Sequence, residues 1–66
     1  MDKGMVIHPV IPGRSEPSDK SEMVTQLLFG EAYDVLDSHR NWLFVENRHD
    51  GYKCWIDKKQ HNEAPD

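Results

Sequence analysis

Cys54 is the one cysteine of this 66-residue chain and the first residue to weigh for chemistry. A cysteine nucleophile acts as a thiolate beside a histidine that a third group orients. Cys54 instead sits inside the segment YKCWI, where alternation puts it on the same strand face as Tyr52 and Ile56. A small buried hydrophobe fits that position, and buried cysteines are inert. A lone cysteine also rules out a disulfide within the chain. Four histidines follow: His8, His39, His49 and His61. His39 and His49 fall in two different predicted hairpin turns, where surface solvation is the plainer reading of both. Two such ligands without a neighbouring carboxylate or thiolate make a poor metal site, and no Cys-x-x-Cys or His-x-x-x-His spacing occurs. Neither a metal nor a cofactor is expected.

Binding chemistry has better candidates. Trp42 and Trp55 carry most of the aromatic area. Alternation places Trp42 and Phe44 opposite Leu43 and Val45, and Trp55 opposite Cys54 and Ile56. One of these faces is an interior. Trp55 is therefore read as mainly structural and Trp42 as partly exposed, available to a ligand. Glu31 follows Gly30 at a predicted turn. A carboxylate close to aromatic rings is what an ammonium group needs, through ion pairing and cation–π contact. Two weaker signals are discounted. Residues 15–18 (SEPS) lack the glycines of a phosphate loop, and Asn47-Arg48-His49 is not a glycosylation sequon.

These side chains must be positioned by a small scaffold. A chain of this length buries roughly 60% of its unfolded surface and reaches a stability of about 3–5 kcal/mol. With 8 basic and 12 acidic residues the net charge is −4, and no Lys/Arg run is present. That balance argues against nucleic acid and against an anionic membrane surface. It suits a cationic or amine-bearing ligand better. No transmembrane run and no signal peptide are visible, because Pro9 and Pro12 break the first apolar stretch.

Apolar runs at residues 5–8, 23–29, 32–36, 42–46 and 52–56 read as five short strands. Pro9 and Pro12 mark the first as a sheet edge or an irregular entry. Residues 13–22 read as a long exposed loop. Asp50-Gly51 is a hairpin signal. Residues 57–60 read as one tight helical turn, and 61–66 as a polar, disordered tail. The class is all-β, a small barrel.

The order and spacing of several short motifs carry a family resemblance. They are RSEPS at 14–18, SEMVTQLLFGE at 21–31, Val35-Leu36, Asn41-Trp42, Asp50-Gly51-Tyr52 and Trp55-Ile56. From about Gly4 to Gln60 the chain resembles the bacterial SH3-like domain found N-terminal to NlpC-type cell-wall cysteine peptidases. The resemblance implies a five-stranded SH3-like barrel over residues 1–60, with 61–66 a tail or the start of a linker. It implies a non-catalytic accessory domain that binds or positions murein peptide for a linked cysteine peptidase. A free-standing peptide- or protein-binding adaptor is the alternative, although no ALYDY-like segment supports eukaryotic-type SH3 binding. In some relatives such a domain lines the peptidase cleft and helps select a free N-terminal L-alanine. Glu31 and Tyr52, with Trp42, are the ligand-binding positions this implies. The implied partners are murein peptide and a peptidase domain in cis, for a monomer without nucleic acid or membrane insertion. The setting is bacterial, with envelope and cytoplasm both open. The peptidase's Cys-Ser-Gly nucleophile segment is absent, so no catalytic residue is expected. The chain departs from the pattern twice: Gly13 stands where an apolar residue usually precedes the arginine, and Cys54 stands where glycine is usual.

Overall fold

The computed structural model describes residues 2–64. Its six strands are β1 (Lys3–Met5), β2 (Val10–Arg14), β3 (Met23–Leu28), β4 (Ala32–His39), β5 (Trp42–Asn47) and β6 (Lys53–Asp57), followed by a 3-10 turn at Lys58–Gln60. They form one antiparallel sheet in the order β1-β4-β5-β6-β2-β3. The all-β class and the helical turn agree with the sequence. Asp57 caps that turn, its Oδ1 accepting the Lys59 N–H at 2.9 Å.

The expected five-stranded barrel is corrected in two respects. The first apolar run is not one strand. Lys3–Met5 pairs with β4, and Val10–Arg14 is a strand despite Pro12 and Gly13. Proline fits because β6 pairs with β2 at Arg14↔Trp55 alone. The flank of β2 facing away from β3 is therefore unpaired at Pro12, and the missing N–H costs no ladder bond. Nor does the sheet close. The end strands β1 and β3 are not paired with each other. β1 is three residues long, and the chain beyond it bonds to the turn after β3. Gly30 donates to Val6 O and Val6 to Glu31 O, each at 2.9 Å.

The hairpin from β4 to β5 is tighter than the polar composition of residues 37–41 implied. Strand β4 runs on to His39, and Arg40-Asn41 makes the turn with Arg40 at φ 56°. A register shift between Val35 and Asp37 absorbs one residue as a bulge. The tail also differs from expectation. Asn62 O accepts the Met5 N–H (2.9 Å), Ala64 N–H donates to Lys3 O (3.0 Å), and His61 Nδ1 is hydrogen-bonded to the Tyr33 hydroxyl (2.8 Å). Residues 61–64 are thus held along β1. The last two positions of the expected tail, Pro65 and Asp66, lie outside the described residues.

Alternation turns one face of the coiled sheet inward. Val6, Ile11, Leu27, Tyr33, Val35, Leu43, Val45, Cys54 and Ile56 form the core. Each large aliphatic among them contributes about 1.5–3 kcal/mol by leaving water. Two glycines are fixed by crowding. A Cβ on Gly4 would collide with the Tyr33 ring, and one on Gly13 would lie 2.5 Å from Cys54 Sγ. The two departures from the family pattern therefore face each other across the β2–β6 seam.

Candidate functional site

The three expected ligand residues separate to opposite ends of the sheet. Strand β5 carries Trp42 at its start and Asn47 at its end, about 17 Å apart. Glu31 and Tyr52 sit at the Asn47 end. Glu31 Oε1 accepts the Leu28 N–H (2.7 Å) and a bond from Asn47 Nδ2 (3.4 Å). Asn47 is buried. Its Oδ1 accepts the His49 N–H (3.1 Å), and its own N–H donates to Tyr52 O (2.9 Å). Asp50 Oδ1 accepts the Tyr52 N–H (2.9 Å), while the Tyr52 ring stays exposed. Glu31 and Tyr52 are thus brought together through Asn47, and Glu31 already has structural work. It caps an N–H on the open edge of β3 and holds the one buried polar side chain among the described residues. Nearby, Arg48 makes a two-pronged bond to Asp34 (2.7 and 3.2 Å), which holds that carboxyl below its ordinary pKa.

Trp42 lies at the other end, half-buried, with His39 and Asp57 as its cross-strand neighbours. An open cleft of about 310 Å³ forms there between β2, the loop after it and the 3-10 turn. Pro12 and Trp42 supply its apolar walls. Arg14 and Lys59 bring positive charge, Asp19 and Asp57 negative charge, and Gln60 completes the lining. The loop at residues 15–22 is held in shape from within. Ser15 N–H donates to Glu22 O, Ser21 Oγ to Ser18 O, and Arg14 Nη1 to Ser21 O. That bracing is what carries Asp19 to the cleft. A second cleft of about 380 Å³ lies across β5, at the β4 bulge. Its floor is Val35, Leu36 and Leu43, its rim Asp2, Asp37, Ser38 and Lys58. It has no aromatic wall. Of the two clefts, the Trp42 cleft combines an aromatic ring, a proline and two charges of each sign.

Residues 13–60 match the family model of the bacterial dipeptidyl-peptidase SH3 domain. The chain belongs to that family. No curated protein matches it. A bacterial dipeptidyl-peptidase SH3 domain is an accessory binding module of a peptidase and not its catalytic unit. The matched stretch contains Glu31, Trp42 and Tyr52, and the whole Trp42 cleft except Pro12.

Within this domain Cys54 is a packing residue. It is buried, and burial first, then the charge of Asp50, pushes its thiol pKa up to about 11. A thiol held protonated near neutral pH is no nucleophile. His39 and His49 are both exposed and do not meet. Consecutive hairpins turn at opposite ends of β5, and His39 packs edge-on against Trp55, ring centroids 6.5 Å apart. Trp55 meets Phe44 at a tilt of 43°, ring centroids 5.0 Å apart.

Sequence reasoning missed Asn47 and most of the cleft. Asn47 had a signal, since Leu43, Val45 and Asn47 alternate inward and a polar residue in that series needs partners. The cleft had none. Pro12, Asp19, Trp42 and Lys59 come from four separate segments that only the fold brings together.

Proposed function

We propose that this domain binds and positions bacterial cell-wall peptide for a linked NlpC-type cysteine peptidase, with the Trp42 cleft as the binding surface. The observation that carries the reading is the balanced charge of that cleft around an aromatic and a proline wall, in a domain of a peptidase-associated family. A murein stem peptide is short and extended, with an amine at one end, carboxylates along it and small aliphatic side chains. Asp19 and Asp57 suit the amine, Arg14 and Lys59 the carboxylates, and the indole packs on the backbone between them. The domain supplies affinity and orientation; the chemistry belongs to the linked peptidase.

The test is a titration of the 66-residue chain with L-Ala-γ-D-Glu-diamino acid tripeptide, followed by Trp fluorescence and amide shifts. Saturable shifts at Trp42, Asp19 and Lys59, weakened by acetylating the peptide's amine, are expected. Shifts confined to Glu31 and Tyr52 would relocate the site to the other end. No response at millimolar tripeptide, with saturation by a proline-rich peptide, would leave the free-standing adaptor as the function.

A further inference from the structure

The core is least covered at the β4 bulge. Val35 and Leu43 keep 6% and 7% of their surface, whereas the other core side chains keep at most 1%. Both lie in the floor of the cleft of about 380 Å³. The sequence accounts for the opening. The register shift falls between Val35 and Asp37, so Leu36 has no partner on β5, and a bulge bends the strand there. Ser38 then stands opposite Leu43. Directly opposed residues share a face, and a serine is too small to cover the leucine it meets. Leu36 completes an aliphatic floor.

Three charges rim this floor without pairing. Asp2 is held over Val35 by its backbone, its O accepting the Val35 N–H at 2.8 Å. Asp37 gives one oxygen, Oδ1, to the Ser38 N–H at 2.7 Å. Lys58 comes from the 3-10 turn. Its ammonium reaches neither carboxylate: among the described residues the ion pair is Arg48–Asp34 alone.

We infer that this cleft binds an aliphatic ammonium, the end of a lysine-type side chain, at a site separate from the Trp42 cleft. The alkyl stem lies on Val35, Leu36 and Leu43, and the ammonium meets Asp2 and Asp37. Long cationic side chains lay their stems on apolar surface and keep the charged head wet. The three N–H donors of an ammonium suit two carboxylates that retain free oxygens. Two carboxylates against one ammonium leave the rim negative, which disfavours an anionic ligand. Lys58 repels the incoming charge from its own side and so sets the direction of the stem. The two clefts flank the 3-10 turn, with Lys58 on this one and Lys59 on the other.

The test is an NMR titration of the 66-residue chain, read at the methyl groups of Val35, Leu36 and Leu43. The probes are Nα-acetyl-L-lysine amide and Nα-acetyl-L-norleucine amide, which share a stem and differ in the ammonium. Saturable methyl shifts are expected with the lysine derivative at millimolar concentration. The norleucine derivative should bind about fivefold more weakly, the size of two exposed ion pairs. Asp2→Asn/Asp37→Asn should erase that preference while tripeptide shifts at Trp42 stay as in the parent. An asparagine at 37 still accepts the Ser38 bond, and the bond from Asp2 is made by its backbone. Should the double variant not fold, Asp2→Asn alone is expected to cut the preference about twofold. Equal affinity for the two derivatives overturns the inference, as does a preference that survives these substitutions. Lysine-derivative shifts at Trp42 in place of Val35 and Leu43 overturn it by moving the ammonium to the other cleft. So does the absence of any methyl shift at tens of millimolar. Tripeptide shifts at Trp42 report the murein reading independently, so either can fail while the other stands.

Discussion

The two ends of β5 handle polar groups in opposite ways. Around Asn47 the carboxamide, the Glu31 carboxylate and the backbone of residues 47–52 bond to one another. Around Trp42 charges of both signs line an open cleft, and Asp57 alone among its carboxylates caps a backbone N–H. No buried side-chain polar atom among the described residues lacks a partner, so satisfaction inside the fold is complete. What differs is the capacity left over. A polar network closed on itself rigidifies a turn, and a ligand must compete with those bonds. In the cleft Arg14 and Asp57 each hold one backbone bond, and their remaining donors and acceptors open onto the cleft beside Asp19 and Lys59. The comparison teaches that a carboxylate's place in the sequence says less about binding than the partners it already holds.

Substitutions at the two ends test that contrast. The largest stability loss is expected for Asn47→Ala. It removes a buried side chain and strips Glu31 and the His49 N–H of a partner, costing about 2–3 kcal/mol. The thermal midpoint should then fall by roughly 10 °C or more, measured by Trp fluorescence. A midpoint within a degree of the parent would mean that the Asn47 end is not a closed network. Next comes Trp42→Ala. Tripeptide affinity should fall about tenfold, or 1.4 kcal/mol, while the fold survives because the indole lies outside the core. Unchanged affinity would remove the cleft from the account. Glu31→Gln should leave tripeptide affinity within about twofold, since an amide oxygen still accepts the Leu28 and Asn47 bonds. A loss as large as that of Trp42→Ala would reverse the comparison.

The smallest effect belongs to the Arg48–Asp34 pair, which is exposed. Asp34 has a lowered folded pKa, so its stabilisation is present above the unfolded carboxylate value and lost as pH falls through the folded one. The difference in melting between parent and Asp34→Asn should therefore shrink on acidification below the ordinary carboxylate range. A difference that grows on acidification would show that Arg48 is not the cause.

The sequence made the elements legible where one physical rule acted alone. Alternation grouped Leu43 with Val45 and Cys54 with Ile56, and all four lie in the core; Tyr52, grouped with Cys54, is exposed because β6 begins only at Lys53. It failed where two rules competed. Pro9 and Pro12 read as a sheet edge or an irregular entry, whereas Pro12 lies inside β2, on a flank that needs no ladder bond from it. Polar residues 37–41 read as a turn, yet β5 pairs with Asp37, Ser38 and His39. The tail read as disordered from composition alone, while β1 offers it open backbone. Around the candidate cleft, the partial exposure of Trp42 was legible. Its partners were not, since Asp19 and Lys59 are 40 residues apart and meet only through the packing of β2 beside β6.

Gly13 and Cys54 constrain each other across the β2–β6 seam. A Cβ at position 13 would lie 2.5 Å from the Cys54 sulfur and 2.8 Å from Thr25 Cγ2. An apolar residue at 13 and a cysteine at 54 are therefore incompatible in this backbone, whereas glycine at both leaves only a small void. Thr25 crowds the same point from β3, so a side chain at 13 is shut out from two sides. Each residue now limits what its neighbour across the seam can become.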